Sequence, residues 1–151
     1  MGAPLSRDDD RAEKGQEVMR GLFLIAALGL AQPAFGQAAP AMDPAKAVAA
    51  ALAANGGEVQ GVFEMTVASS AGSGFNYYLN SEKDYRSDAN LAIVIVPEVR
   101  NEIVAKSKAE PNAVFQGKRI RVTGVVRRVA VGSHFQTRIT PQHASQIEII
   151  G

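Results

Sequence analysis

The chain has 151 residues, a net charge of +1, 46% hydrophobic and 21% charged residues, and no cysteine. That is the length of one domain and the composition of an ordinary globular protein, not of a polyelectrolyte. The lack of cysteine excludes disulfides, thiolate metal sites and cysteine nucleophiles together, and it is compatible with an oxidising compartment.

Residues 21–31, GLFLIAALGLA, are an unbroken run of apolar and small side chains. A membrane-spanning helix needs about 20 such residues, so the run has the size of a signal-peptide h-region. Pro33 follows, and Ala34-Phe35-Gly36 is a small-x-small pattern that places cleavage after Gly36 or Ala38. The first 20 residues carry a net −1, the wrong sign for an n-region, but Met19-Arg20 stands directly before the apolar run. The expected organisation is an over-extended start or disordered tail over 1–18 and a signal peptide over 19–38. A mature chain of about 115 residues follows, exported to the periplasm or beyond, with no stable membrane insertion after cleavage. The alternative is a buried or membrane-anchoring helix behind an acidic tail.

Residues 39–57 are expected to be a linker and one short helix. Asp43 can accept from the free N–H groups of the first turn, and Pro44 sits where its missing N–H costs nothing. Asn55-Gly56-Gly57 supplies residues that end a helix. The apolar positions between are mostly Ala, which bury little area, so this helix should lie on the domain and not in its core.

From Glu58 the period is two. In EVQGVFEMTVASS, Val59, Gly61, Phe63, Met65 and Val67 share one face, and Gln60, Val62, Glu64, Thr66 and Ala68 share the other. AGSG reads as a turn, FNYYLN as a second strand, and SEKDYRSDAN as a polar loop. LAIVIVP is a β-branched run that reads as a buried third strand. Pro97 opens a helix, PEVRNEIVAKSKA, which Glu110-Pro111-Asn112 breaks. GKRIRVTGVVRRVAV is strand four. FQTRIT and SQIEII make a fifth strand, interrupted at Pro141. The order β-β-β-α-β-β over 58–151 is that of a mainly β, five-stranded OB-fold, a Greek-key barrel with a helix between strands three and four. Gly61 and Gly124 suit the bends of such a barrel.

YYLN at 77–80, SEKDY at 81–85, IVIVP at 93–97, FQGKRIRVTGVV at 115–126 and SQIEI at 145–149 follow one another in this order. Together they resemble a group of exported bacterial OB-fold domains described as nucleic-acid-binding-like, some of which lie beside exported nucleases. The resemblance covers 58–150. It implies the fold, and with it a nucleic-acid-binding surface. The chain departs from that group in its last strand, where GSHFQTRITPQHASQIEI replaces a shorter Gly-x-Pro-x-Ile turn.

Between Lys118 and Arg138 stand six basic residues with no Asp or Glu among them. Alternation turns Ile120, Val122 and Val126 inward and Arg119, Arg121 and Thr123 outward. Arg127 and Arg128 put one guanidinium on each face. Phosphates are held by Lys and Arg, and bases stack on aromatic rings. In an OB-fold the binding surface is strands two and three with the loops between strands one and two and between four and five. Strand two offers Phe75, Tyr77 and Tyr78, flanked by Asn76 and Asn80. The candidate nucleic-acid-binding residues are therefore Tyr78, Tyr85, Lys118, Arg119, Arg121, Arg127 and Arg128. The competing reading is a solvated strand with half-buried tyrosines, and Glu82, Asp84 and Asp88 in the neighbouring loop would repel phosphate.

Those three carboxylates lack the ligand series of a calcium loop. His134 and His143, with only Glu148 nearby, do not make a zinc set and read as hydrogen-bonded surface histidines. Ser69, Ser70 and Ser73 read as turn residues without a base or orienter. No Gly-rich phosphate loop precedes a helix. No metal, cofactor or catalytic residue is expected. The expected function is that of an exported, non-catalytic OB-fold protein binding single-stranded nucleic acid or another anionic oligomer. The alternatives are a protein-interaction or structural module of the cell envelope, or an accessory domain to a separate nuclease.

Overall fold

The computed structural model describes residues 40–151, so the expected tail at 1–18 and signal peptide at 19–38 lie outside the described residues. Helix α1 (Pro44–Ala53) starts as its sequence dictates, with Asp43 Oδ1 accepting from Lys46 N at 2.8 Å. Its alanines do more than expected. Ala47 and Ala51 are fully buried and belong to the same core as the strands. The expectation of a helix outside the core is corrected: small side chains let the backbone approach the sheet closely, which substitutes for bulk. Met42, just before the helix, exchanges backbone hydrogen bonds with β1 (Glu58–Thr66) through Val62 O and Glu64 N.

β1 runs antiparallel to β5 (Arg119–Val131), with Gly61 opposite Gly124 and Glu64 opposite Arg121. A Cβ on Gly61 would stand 2.7 Å from Met42 Cε, so the glycine makes room for the lead into α1. Past Thr66 the pairing changes. Val67 still bonds to Gly117 and Lys118, but β2 (Ser69–Ser73) crosses to β3 (Asn76–Asn80). Strand one therefore splits in two, and Ala71-Gly72-Ser73, expected as a turn, is ladder. The connection is the two-residue Gly74-Phe75, with Gly74 at φ +63°, where such hairpins favour glycine.

β3 pairs antiparallel with β4 (Leu91–Ile95), and β4 pairs in parallel with β6 (His134–Ile139). β6 returns antiparallel along β5. The order is β1-β5-β6-β4-β3-β2. Because β2 continues β1, the path comes back to its start, and the parallel step falls between the third and last strands of the five expected. This is an OB-like arrangement. β7 (Ile147–Ile149) joins the start of β5 after a 3₁₀ turn at Ala144–Gln146. Among the described residues the count is thus seven strands and not five, because the first and last are each broken.

β4 is followed by α2 (Pro97–Ser107), which ends where Lys108 turns left-handed at φ +61°. Pro111 does not merely break this helix. It opens a second one, α3 (Pro111–Phe115), which the sequence reading missed. The Arg100 guanidinium on α2 pairs with Glu110, the N-cap residue of α3. Inside the sheet, Phe63, Ile120, Val122 and Val126 are fully or almost fully buried, as the period-two reading of their strands requires, and so are Leu79, Ile93 and Ile139. Among the described residues no helix is long and apolar enough to cross a membrane.

Candidate ligand-binding groove

The outward row of the ladder sets the site. Ala71, Tyr78 and Val94 lie side by side on β2, β3 and β4, and the next row runs Asn80, Ala92, Arg138, Arg127. Above them opens a cavity of about 360 Å³, lined by Ala71, Ser73, Tyr78, Asn80, Tyr85, Val131, Gln136 and Arg138. The β2–β3 and β5–β6 connections flank it. Among the described residues no carboxylate lines it. Arg138 places its guanidinium carbon 5.5 Å from the Tyr78 ring centroid, and its Nε and Nη2 donate to Gln136 Oε1 at 3.0 and 2.8 Å. Among the described residues Arg138 has no carboxylate partner.

Tyr85 is brought to the groove by a side chain that sequence reasoning passed over. Asn90 is buried at the end of the 81–90 loop. Its Oδ1 accepts from Glu82 N at 3.1 Å, and its Nδ2 donates to Asn80 Oδ1 at 3.0 Å and to Tyr85 O at 3.3 Å. Ser81 Oγ accepts from Leu91 N at 2.8 Å. The polar loop is therefore stapled to the strands at both ends. Asp84, feared as a repelling charge, spends Oδ1 on Arg86 N at 2.9 Å. Arg86 in turn lies 5.3 Å from the Tyr85 ring. A further pair, Arg128 over Phe135 at 4.2 Å, stands on the β5–β6 hairpin, and Phe75 on the β2–β3 connection is 87% exposed.

The basic strand is divided by this geometry. Arg119 and Arg121 do not share the groove with Tyr78 and Tyr85, which corrects the single groove expected from these four. Both guanidinium groups bind Glu64 on β1, Arg119 at 3.0 Å and Arg121 at 2.9 Å, and Arg121 also faces Glu148 at 3.6 Å. Arg121 is separated from Val131, which lines the groove, by ten strand positions. That is on the order of 30 Å along an extended strand. Arg127 faces Glu58 at 3.5 Å, and Lys118 is exposed at the start of β5. The run looked like one continuous patch only because its carboxylate partners come from strands far away in sequence. Parity with Gln136 places Arg138 on the outer face, but its place beside Tyr78 depends on the pairing of β6 with β4; Asn90 carried no sequence signal.

Hydrogen bonding from Arg121, and then from Arg119, holds the Glu64 carboxyl below its ordinary value. Arg100 does the same to Glu110. Glu102 is lowered first by the Ala144 N–H, at 2.7 Å, and then by His143. Each contribution is fully present above the unfolded carboxyl pKa and is lost as pH falls through the lower folded one. The thermal midpoint should therefore drop as pH falls below about 4.5. Glu64→Gln should flatten this drop without changing its sign; a slope identical to the parent would show that the Glu64 pairs contribute nothing.

The histidines divide too. His143 is exposed and faces Glu102 Oε1 at 3.2 Å. His134 departs from the expected surface role, because its Nε2 is buried with no hydrogen-bond partner among the described residues. The described residues contain no group of three metal-ligating side chains. Ser69 and Ser70 are strand residues whose hydroxyls donate to Glu82 O and Gln116 Oε1.

No protein-family model matches the chain. No curated protein matches it. Among solved structures it is similar to the aspartyl tRNA synthetase from Entamoeba histolytica, at 14% identity and a TM-score of 0.48, over 81% of this chain and 23% of that one. It is also similar to a chain of the Stn1–Ten1 complex of S. pombe, at 15% identity and a TM-score of 0.36, over 59% of this chain and 56% of that one. The chain thus spans under a quarter of the synthetase. The functional reading rests on the side chains of the groove.

Proposed function

We propose that this chain is a non-catalytic binding module, exported by its N-terminal segment, whose groove holds single-stranded nucleic acid or a related anionic oligomer. The observation that carries the reading is Arg138 laid over Tyr78 and beside Tyr85, in a groove that no carboxylate lines. A strand of nucleotides needs both elements at once: flat rings on which bases stack, and cations that neutralise phosphate. Arg86 on the 81–90 loop and Arg128 on β5, each lying over an aromatic ring, add cations nearby. Resemblance to exported OB domains found beside nucleases points the same way. The resemblance speaks to fold more directly than to ligand.

The test is the salt dependence of oligonucleotide binding by the full chain. Three phosphate contacts predict a log–log slope of about −2, at roughly −0.7 per contact. Arg138→Ala should flatten it by about 0.7, whereas Arg119→Ala, whose charge is spent on Glu64, should leave it unchanged. Tyr78→Ala should keep the slope and weaken binding by about 1–3 kcal/mol. Equal binding of an anionic polysaccharide would broaden the ligand to polyanions in general. No binding at about 50 mM salt and micromolar protein would overturn the reading in favour of an envelope interaction module.

A further inference from the structure

We propose that the groove discriminates among bases, preferring thymine or uracil over adenine, because the free groups of its two amides and of Arg138 are donors. This rests on the nucleic-acid reading above. The orientation of each amide follows from what it touches. Asn90 is fixed from both ends: the Glu82 N–H can only donate, and the Tyr85 carbonyl can only accept. The Asn90 amide therefore turns Nδ2 towards Asn80, which must answer with Oδ1. The Asn80 Nδ2 is left without an acceptor among the described residues, on a side chain that lines the groove.

Gln136 is fixed by the same logic. A guanidinium carries donors only, so the atom that receives Nε and Nη2 of Arg138 is Oε1. The Gln136 Nε2 is the group left over, together with Nη1 of Arg138. Tyr85 accepts from Arg86 Nε at 3.3 Å, which leaves its hydroxyl hydrogen to give. Two amide nitrogens, a guanidinium and a phenol thus present free donors around one cavity, beside the Ser73 and Tyr78 hydroxyls, which can either give or accept.

Thymine and uracil present two carbonyl oxygens to such a rim. Adenine presents an amino donor where thymine and uracil have a carbonyl, so that edge faces another donor and only its ring nitrogens can accept. A site whose buried polar groups are aimed at a partner rejects the analogue that lacks it more strongly than an apolar site does. Stacking alone would act in the opposite direction, since the larger purine covers more of Tyr78 and Tyr85.

The experiment measures binding of the full chain to oligo(dT) and oligo(dA) of equal length at one salt concentration, for the parent, Gln136→Glu and Asn80→Asp. Each substitution replaces a free amide donor by a carboxylate oxygen and keeps the oxygen already used. The parent should bind oligo(dT) roughly ten-fold more tightly, and the dT/dA ratio should fall towards about one in both variants. Self-stacking of oligo(dA) is the same for all three proteins, so it cancels from the change in ratio. Gln136 is only half-buried, and an unchanged thermal midpoint of Gln136→Glu keeps the comparison valid if Asn80→Asp fails to fold. Equal binding of the two oligonucleotides by the parent, or a ratio that survives Gln136→Glu, overturns the base preference and leaves the binding function standing. If neither oligonucleotide binds, the nucleic-acid reading itself falls.

Discussion

Val122→Asp is expected to unfold the domain, and Thr123→Asp, one residue on, to leave it folded. Val122 is fully buried at the centre of β5, while Thr123 is exposed on the opposite face. A carboxylate in place of Val122 finds no cation, because the neighbouring inward side chains are Phe63, Ile120 and Val126. An unpaired buried charge costs several kcal/mol, comparable with the roughly 5–15 kcal/mol that holds a domain of this size together. Arg121→Asp is a poorer control than the alternation alone suggests. It would set three carboxylates together, since Glu64 and Glu148 already face that position. Circular dichroism and thermal melting of the two variants decide the matter. Equal midpoints would mean that the register of β5 is wrong.

The second large effect is expected at Asn90. Asn90→Ala removes one acceptor and two donations in a single step, and it leaves Asn80 Oδ1 unpaired in a buried place. A buried group stripped of its partner costs about 1–3 kcal/mol. The same change frees the loop that presents Tyr85. Binding of single-stranded oligonucleotide should therefore weaken as much as in Tyr85→Ala, although Asn90 is too deeply buried to stack on a base. Faster amide exchange should appear over 81–89 and not in β5. If Asn90→Ala lowers stability but binds oligonucleotide as the parent does, the loop does not position a ligand-binding Tyr85, and that ring leaves the site.

The two outcomes probe different depths of legibility. The inward set of β5 could be read from the chain, since side chains alternate along a strand whatever its partners are. The same holds for Phe63, Met65 and Val67 on the first strand and for the β-branched run of β4. The site could be read only in part. Tyr78 and Tyr85 were legible as aromatics on a strand and its loop. Arg138 was not, because its meaning depends on β6 lying parallel to β4, with β3 on the other side.

The sequence by itself determined the outward and inward faces, the cap of α1 at Asp43, the opening of α2 at Pro97, and the order of elements that defines an OB-like domain. These depend on neighbours within a few residues, where backbone geometry and hydrophobic period decide. The tertiary structure alone decided three other matters. It spent Arg119 and Arg121 on Glu64, a residue more than fifty positions earlier. It drew Ala47 and Ala51 into the core, because close packing rewards small side chains where two backbones meet. It left Arg138 beside two tyrosines with no carboxylate among the described residues to answer it. A charge is free or satisfied according to what long-range pairing sets against it, and that pairing is a property of the closed sheet and not of any stretch of chain.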